Sequence, residues 1–260
     1  AVIGNPIEHS LSPKLHNHWI KENNINATYN KIKLEKNEVK NFIQDIKKQK
    51  IIGCNVTVPY KKTVIPFLDK LSQEAGKTQS VNTIIFENGN LVGHNTDIFG
   101  FEKAIRNLNY NMKNKKILIL GAGGVVSSII YALNKMNVLN IFVCNRTKNK
   151  AEDLRILFKN LKVIEWGNIP DVDVIINATS IGLKNEKINL DFSKVGKNKL
   201  FYDVIYNPGE TNFLKTGKDL GNISENGKLM FVYQALKAFQ LWHKKEPKIN
   251  KQILNFLDND

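Results

Sequence analysis

A hydroxyl, a proline and an amine lie close together in the stretch Gly53-Cys54-Asn55-Val56-Thr57-Val58-Pro59-Tyr60-Lys61-Lys62. From Ile51 through Val58 the run is apolar and β-branched, which predicts a buried strand. Pro59 cannot donate to a strand ladder, so the strand is expected to stop there and a helix to start. Thr57 and Lys61 would then leave the carboxyl end of one strand together, where ligands bind in open α/β sheets. The plainer reading is a capping threonine followed by two solvated lysines. By itself the stretch leaves both open.

A second group follows another predicted buried strand, residues 116–120. There Gly121-Ala122-Gly123-Gly124 makes a tight turn into a predicted helix, residues 125–136. Missing Cβ atoms let a backbone approach a pyrophosphate, and a helix N-terminus offers it unpaired N–H groups. Val126 holds the sixth motif position, where a third glycine is usual, and the small side chain of Ser127 just after it should still allow close helix packing. A purely structural glycine turn is the alternative. The next strand, residues 140–144, ends in Cys144-Asn145-Arg146-Thr147, with Lys150 one turn on. An NAD site would place a carboxylate there for the ribose 2′-hydroxyl. A guanidinium, a hydroxyl and an amine suit a 2′-phosphate instead, through charge-assisted hydrogen bonds. No carboxylate appears before Glu152. The expected cofactor is therefore NADP(H), unless Arg146 merely caps the following helix.

Composition bounds the rest. The chain has 260 residues, 42% hydrophobic and 24% charged, which fits a soluble protein of one large or two modest domains. No apolar run reaches the roughly 18 residues of a bilayer span, and no signal-peptide pattern opens the sequence. Ala1-Val2-Ile3-Gly4 reads as the second half of a buried strand, so the native start is expected to be missing. The net charge of +14 raises the question of nucleic acid. The excess is spread along the chain, with no basic arm and no aromatic-rich RNA motif. A solvated lysine surface that draws in anionic ligands is expected, with neither nucleic-acid nor membrane partners. Cys54 and Cys144 sit in apolar runs, which suggests buried reduced thiols and a cytoplasmic setting. His9, His16, His18, His94 and His243 are scattered and form no metal or Ser-His-Asp pattern.

The elements that must position these groups follow from periodicity. Residues 12–23 read as a helix with Ser12 at the N-cap and Pro13 at the first helical position. A strand over 29–34 leads to a helix over 35–48, with Val39, Phe42, Ile43 and Ile46 on one face. Helical segments are expected over 63–71 and 72–77, then a hairpin, 81–87 with 90–93, turned at Asn88-Gly89. Such a βαβα chain implies a mostly parallel sheet. From Thr96 a helix leads through a polar linker, 109–115, into a second α/β unit. Its further strands are read at 162–164, 172–177 and 200–204, with a helix at 148–158. A long helix over 227–244 and a short one over 248–257 close the chain.

Taken in order, the motifs resemble the NADP-dependent shikimate dehydrogenase family over nearly the whole length. They run from Gly4-Asn5-Pro6-Ile7 with His9-Ser10-Leu11-Ser12-Pro13, through Asn55-Val56-Thr57-Val58-Pro59-Tyr60-Lys61 and Val81-Asn82-Thr83, to Gly93-His94-Asn95-Thr96-Asp97. The glycine turn and Asn145-Arg146-Thr147 come next. Asn177-Ala178-Thr179-Ser180-x-Gly182, Asp203-x-x-Tyr206-x-Pro208-x-x-Thr211 and Gly227-x-x-Met230-x-x-x-Gln234-Ala235 complete the set.

The resemblance implies a two-domain α/β fold. A substrate domain over 1–97, with a mostly parallel sheet, would be completed by C-terminal helices over 232–260. A Rossmann-like NADP-binding domain would occupy 98–231. The implied activity is reversible reduction of 3-dehydroshikimate to shikimate, in aromatic amino acid biosynthesis, by a monomer or homodimer. Lys61 and Asp97 would form the catalytic pair, and Ser10 and Ser12 would bind the substrate carboxylate. Thr57, Asn82, Asp97 and Gln234 would hold ring hydroxyls, and Tyr206 would line the site near the nicotinamide. Gly121, Ala122, Gly123, Gly124, Asn145, Arg146, Thr147, Lys150, Thr179 and Gly227 would hold NADP. Ser127 and Lys228 depart from the family pattern: the first stands where a basic residue is common, the second where a smaller or apolar one is usual.

Overall fold

The computed structural model describes residues 1–258. The chain forms two compact units, Ala1–Gly100 with the segment from Val232 onward, and Phe101–Phe231.

The first unit is built on β1 (Val2–Gly4), α1 (Ser12–Glu22), β2 (Lys31–Lys33), α2 (Val39–Lys47), β3 (Gly53–Val56), β4 (Lys70–Leu71), α3 (Gln73–Thr78), β5 (Thr83–Glu87) and β6 (Asn90–His94). Its sheet runs β2-β1-β3-β5-β6-β4. β1 pairs parallel with β2 and β3, and β4 with β6, whereas β5 is antiparallel to both β3 and β6. Val39, Phe42, Ile43 and Ile46 of α2 face a core shared with Ile3, Cys54, Val56 and Ile84, as their helical spacing predicts. At the hairpin tip both Asn88 and Gly89 have positive φ, 49° and 75°, the requirement of a type I′ turn.

Three local expectations for this unit change. Ser12 is the first helical residue of α1 and not its N-cap; Leu11 takes that place, and Ser10 Oγ accepts the Ser12 N–H at 3.3 Å. Pro13 then sits second in the helix, where its missing N–H is still one of the first-turn orphans. No α-helix begins after Pro59: residues 59–64 form turns, followed by a single 3₁₀ turn, Ile65–Phe67. Pro66 lies in the middle of the expected 63–71 helix and cannot donate within it. The end of that segment gains more by joining the sheet as β4, beside β6, where Asp69 Oδ2 accepts the Leu91 N–H at 2.8 Å.

The chain crosses between units within α4 (Asp97–Asn107) and α9 (Lys228–His243). The second unit comprises β7 (Lys116–Leu120), α5 (Val126–Lys135), β8 (Asn140–Cys144), α6 (Lys148–Glu152), α7 (Leu154–Leu157), β9 (Lys162–Val163), β10 (Val174–Asn177), β11 (Leu200–Asp203), α8 (Asn212–Asp219) and β12 (Ile223–Glu225). All neighbours in its sheet, β12-β11-β10-β7-β8-β9, are parallel. In order of appearance along the chain this is 3-2-1-4-5-6, the doubly wound dinucleotide-binding arrangement. Ile117 through Leu120 and Val174 through Ile176 are fully buried, as strands covered on both faces must be.

α8 and β12 escape sequence reading. α8 is capped by Thr211 Oγ1, which accepts the Leu214 N–H at 3.4 Å, and it holds Gly217 in its interior. Glycine weakens a helix pattern, but a Cβ there would meet the Phe201 ring at 2.6 Å, so close packing on β11 requires it. The expected 148–158 helix is broken at Asp153 into α6 and α7. Last comes α10 (Lys251–Asp258), after the long α9.

Candidate functional site

Two constellations of candidate residues form, one in each unit. In the first, β3 and β5 pair antiparallel with Asn55 opposite Thr83. That register sets Asn82 beside the end of β3, where Val56 N–H donates to the Asn82 carbonyl at 2.8 Å. One residue earlier, Val81 N–H donates to the Lys61 carbonyl at 2.9 Å and fixes the turn carrying Lys61 against the same strand. Asp97 opens α4 directly after β6. These three connections bring together side chains 15 to 36 positions apart in sequence.

Lys61 Nζ donates to Asp97 Oδ2 at 2.5 Å, and both side chains are about nine-tenths buried, with 11% and 8% exposure. Asn82 Nδ2 donates to the other oxygen, Asp97 Oδ1, at 2.8 Å, and to Gln234 Oε1 of α9 at 3.4 Å. Asn82 Oδ1 in turn accepts the Thr96 N–H at 2.7 Å, which anchors the residue preceding Asp97. A buried charge pair is weak evidence for stability, since apolar side chains of similar size would often serve as well. An amine held on one carboxylate oxygen, with the second oxygen occupied by an amide, is instead the geometry that a positioned proton donor requires.

Lys61, Asp97, Asn82 and Gln234 thus form one connected network. Ser10 and Ser12 stand at the start of α1, after β1, and Thr57 stands just past β3, the parallel neighbour of β1. Asn5 N–H donates to the Val58 carbonyl at 3.0 Å and ties the two strand ends together. Ser12 is 7% exposed, while Ser10 and Thr57 are partly open.

Sequence reasoning gave no role to Asn55, Thr83, Thr96 or Tyr29, which hold this network. Asn55 Oδ1 accepts from Tyr29 Oη at 2.6 Å, and Asn55 Nδ2 donates to the Asn82 carbonyl and Thr83 Oγ1 at 3.1 and 3.0 Å. An asparagine inside an apolar strand was the available signal, because a buried amide needs partners.

In the second unit the candidates cluster at the carboxyl edge of the sheet. Gly121 follows β7 with φ +110°, a conformation few L-residues adopt, and a Cβ on it would meet the Ala178 carbonyl at 2.9 Å. Around Gly123 a Cβ would meet nothing within 4 Å, which leaves an open approach to the turn. Ala122 and Gly124 are partly exposed beside it. α5 begins after Val125 with no side-chain cap and no acidic residue in its first turn. Its leading N–H groups and macrodipole therefore favour an anion. Ser127, at the second helical position, is buried, as close packing of α5 requires.

After β8, Asn145 Nδ2 donates to the Thr147 carbonyl at 2.8 Å and shapes the turn presenting Arg146. Arg146, Thr147 and Lys150 are exposed, and neither cation forms an ion pair among the described residues. Glu152 is engaged with Arg155 at 3.0 Å. A free guanidinium with an uncapped helix nearby fits a nucleotide bearing a 2′-phosphate. Thr179 follows β10, its Oγ1 donating to Asn177 Oδ1 at 2.7 Å and accepting the Ile181 N–H at 3.0 Å. Tyr206 follows β11 and stacks on Phe231, with centroids 4.4 Å apart. Gly227 is buried just before α9, its N–H bonded to the Ile205 carbonyl at 3.0 Å.

Burial pushes both thiols, Cys54 and Cys144, up to about 12, and neither is bonded to the other. Among the described residues no cluster of His, Cys, Asp and Glu could hold a metal, and no helix is long and apolar enough to cross a membrane.

Known proteins carry the same elements in the same order. Residues 2–84 match the shikimate dehydrogenase substrate binding domain, and residues 102–204 match the shikimate / quinate 5-dehydrogenase domain. The chain is 56% identical over 258 residues to the shikimate dehydrogenase (NADP(+)) of Pelagibacter ubique (strain HTCC1062), covering 99% of this chain and 97% of that one. It is similar in structure to shikimate dehydrogenase from Aquifex aeolicus, with TM-score 0.88, 37% identity, and coverage of 100% and 96%. It also resembles shikimate 5-dehydrogenase from Thermus thermophilus, solved with NADP(H) and shikimate, with TM-score 0.88, 28% identity, and coverage of 99% and 96%. Matched in both units and across its length, the chain belongs to the shikimate dehydrogenase family.

Proposed function

We propose that this protein catalyses the reversible, NADP-dependent interconversion of 3-dehydroshikimate and shikimate, with Lys61 as the proton donor and Asp97 as its partner. The observation that carries the residue assignment is the buried Lys61–Asp97 pair at 2.5 Å, locked by Asn82. NADPH, when bound, supplies the hydride. Adding it to a ketone carbon leaves negative charge on oxygen, and Lys61 Nζ stabilises that charge and delivers the proton. Positioned proton donors contribute roughly 10²–10⁴-fold in rate. Asp97 holds the amine, and Asn82 keeps Asp97 from turning away. In the oxidising direction Lys61 Nζ takes the hydroxyl proton back as the hydride leaves for NADP.

Ser10 and Ser12 would receive the substrate carboxylate at the start of α1, and Thr57, Asn82 and Gln234 would bind ring hydroxyls. In the second unit, Gly121, Ala122, Gly123 and Gly124 with α5 would hold the pyrophosphate. Asn145, Arg146, Thr147 and Lys150 would hold the 2′-phosphate, and Thr179, Tyr206 and Gly227 would border the nicotinamide. We assign the substrate role to the unit of residues 1–100 with the segment from Val232 onward, and the cofactor role to the unit of residues 101–231, three residues later than the expected boundary at 97. A cytoplasmic monomer or homodimer suits this biosynthetic role.

Absorbance at the nicotinamide band tests the assignment, with shikimate and quinate each offered NADP or NAD. Shikimate with NADP should give the highest rate. No reduction by any pair in a folded sample would refute the activity, and equal rates with NAD would refute the role given to Arg146.

A further inference from the structure

Asp203 ends β11 and is fully buried. Among the described residues it has no cationic partner, and every group bonded to it is a neutral donor. Oδ1 accepts from Asn177 Nδ2 at 3.1 Å and from the Ile205 N–H at 3.0 Å. Oδ2 accepts from Asn177 Nδ2 at 3.1 Å and from Thr211 Oγ1 at 2.7 Å. Asn177 passes the linkage on, since its Oδ1 accepts both the N–H and the hydroxyl of Thr179, at 3.1 and 2.7 Å. Its Nδ2 also donates to the Ile181 carbonyl at 3.1 Å. One carboxylate therefore fixes three segments: the turn after β10, the turn after β11 that carries Tyr206, and the N-cap of α8. An asparagine in its place could accept on one atom only. Burying an unpaired carboxylate is costly, and fold stability alone gives no reason to keep one.

Strand order says which part of the site these segments serve. The glycine turn follows β7, and the Arg146 turn follows β8 on one side of it. β10 and β11 lie on the other side of β7. A dinucleotide laid across the carboxyl edge, with its 2′-phosphate at β8, has its nicotinamide half over β10 and β11.

We propose that Asp203 is a positioning residue for the nicotinamide half of the site, setting Thr179 and Tyr206 through Asn177, Ile205 and Thr211. The inference rests on the NADP-dependent activity proposed above. Asp203→Asn in the full chain should lower kcat by roughly 10–100-fold, the scale of an ångström's misplacement. It should leave the affinity for adenosine 2′,5′-bisphosphate unchanged and the melting temperature unchanged or raised. Thr211→Val, which removes one donor, should move kcat the same way by less. Unchanged kcat in both variants would overturn the proposal, as would parallel loss of kcat and adenosine 2′,5′-bisphosphate affinity. Should the parent protein fail to turn over shikimate with NADP, the activity assignment falls by itself. The nicotinamide emission of bound NADPH then decides: a difference between parent and Asp203→Asn supports positioning, and identical emission overturns it.

Discussion

Asp97 and Asp203 are both buried carboxylates at the edge of a sheet, yet their surroundings are opposite. Asp97 faces an ammonium, with Lys61 Nζ at 2.5 Å, and shares its second oxygen with an amide. Asp203 meets only neutral donors. Burial pushes its carboxyl up to about 6, opposed by the hydrogen bonds from Thr211, Ile205 and Asn177. A carboxylate beside a movable proton suits chemistry. One wrapped in fixed N–H and O–H groups suits geometry. Variants at the two sites should therefore separate loss of chemistry from loss of alignment.

The largest effect is expected at the first site. Lys61→Ala should lower kcat by roughly 10²–10⁴-fold while sparing NADPH binding, measured by steady-state turnover and nucleotide titration. It also strands Asp97 in a buried position, and breaking such a pair costs about 3–5 kcal/mol. Adding Asp97→Asn should recover much of that stability in thermal melts without restoring turnover. Recovery of turnover would end the catalytic assignment.

Next comes the cofactor end. Arg146→Ala removes a charge-assisted bond worth about 1.5–3 kcal/mol, so KM for NADPH should rise roughly 10–100-fold. KM for NADH should hardly move, and an equal change for both would mean that Arg146 does not read the 2′-phosphate.

Asp203 offers a test of stability against pH. Its folded value, about 6, lies above the ordinary 3.8. Between those values the folded state binds more protons than the unfolded chain. The stabilising contribution is thus full below about pH 4 and lost as pH rises through about 6, a change near 3 kcal/mol. Asp203→Asn should flatten that part of the melting profile. A profile unchanged by the substitution would place the ionisation elsewhere.

The smallest effect concerns His16, fully buried against Tyr29, Trp19, Phe239 and Trp242, with neither ring nitrogen bonded among the described residues. Burial holds it well below the ordinary 6.5, so it stays neutral in the fold. The unfolded chain takes up the proton first, and stability is lost as pH falls below about 6.5. His16→Leu, of similar volume, should leave neutral stability nearly intact and soften the acid loss. A steeper acid loss would contradict the neutral assignment.

Legibility in sequence followed local cause. β7 and β8 lie where their apolar runs predict, because parallel strands buried on both faces carry continuous hydrophobic stretches bounded by a glycine turn and a polar linker. The Asn88-Gly89 hairpin was equally plain, since its turn demands residues that accept positive φ. The segment after Pro59 was misread because a helical pattern competed with a sheet edge that only β6 supplies. α8 was hidden by a glycine whose reason is the Phe201 ring on another strand.

The two α/β units, the glycine turn, the Arg146 cluster and the family could all be read along the linear chain. Each depends on residues near one another along the chain, or on motifs in fixed order. Tertiary structure alone decided that Asn55, Thr96 and Tyr29 support the Lys61–Asp97 pair, and that Asp203 joins three segments. Those partners are held by pairing register and by satisfaction of buried polar groups, and neither has a period or spacing that a linear chain can display.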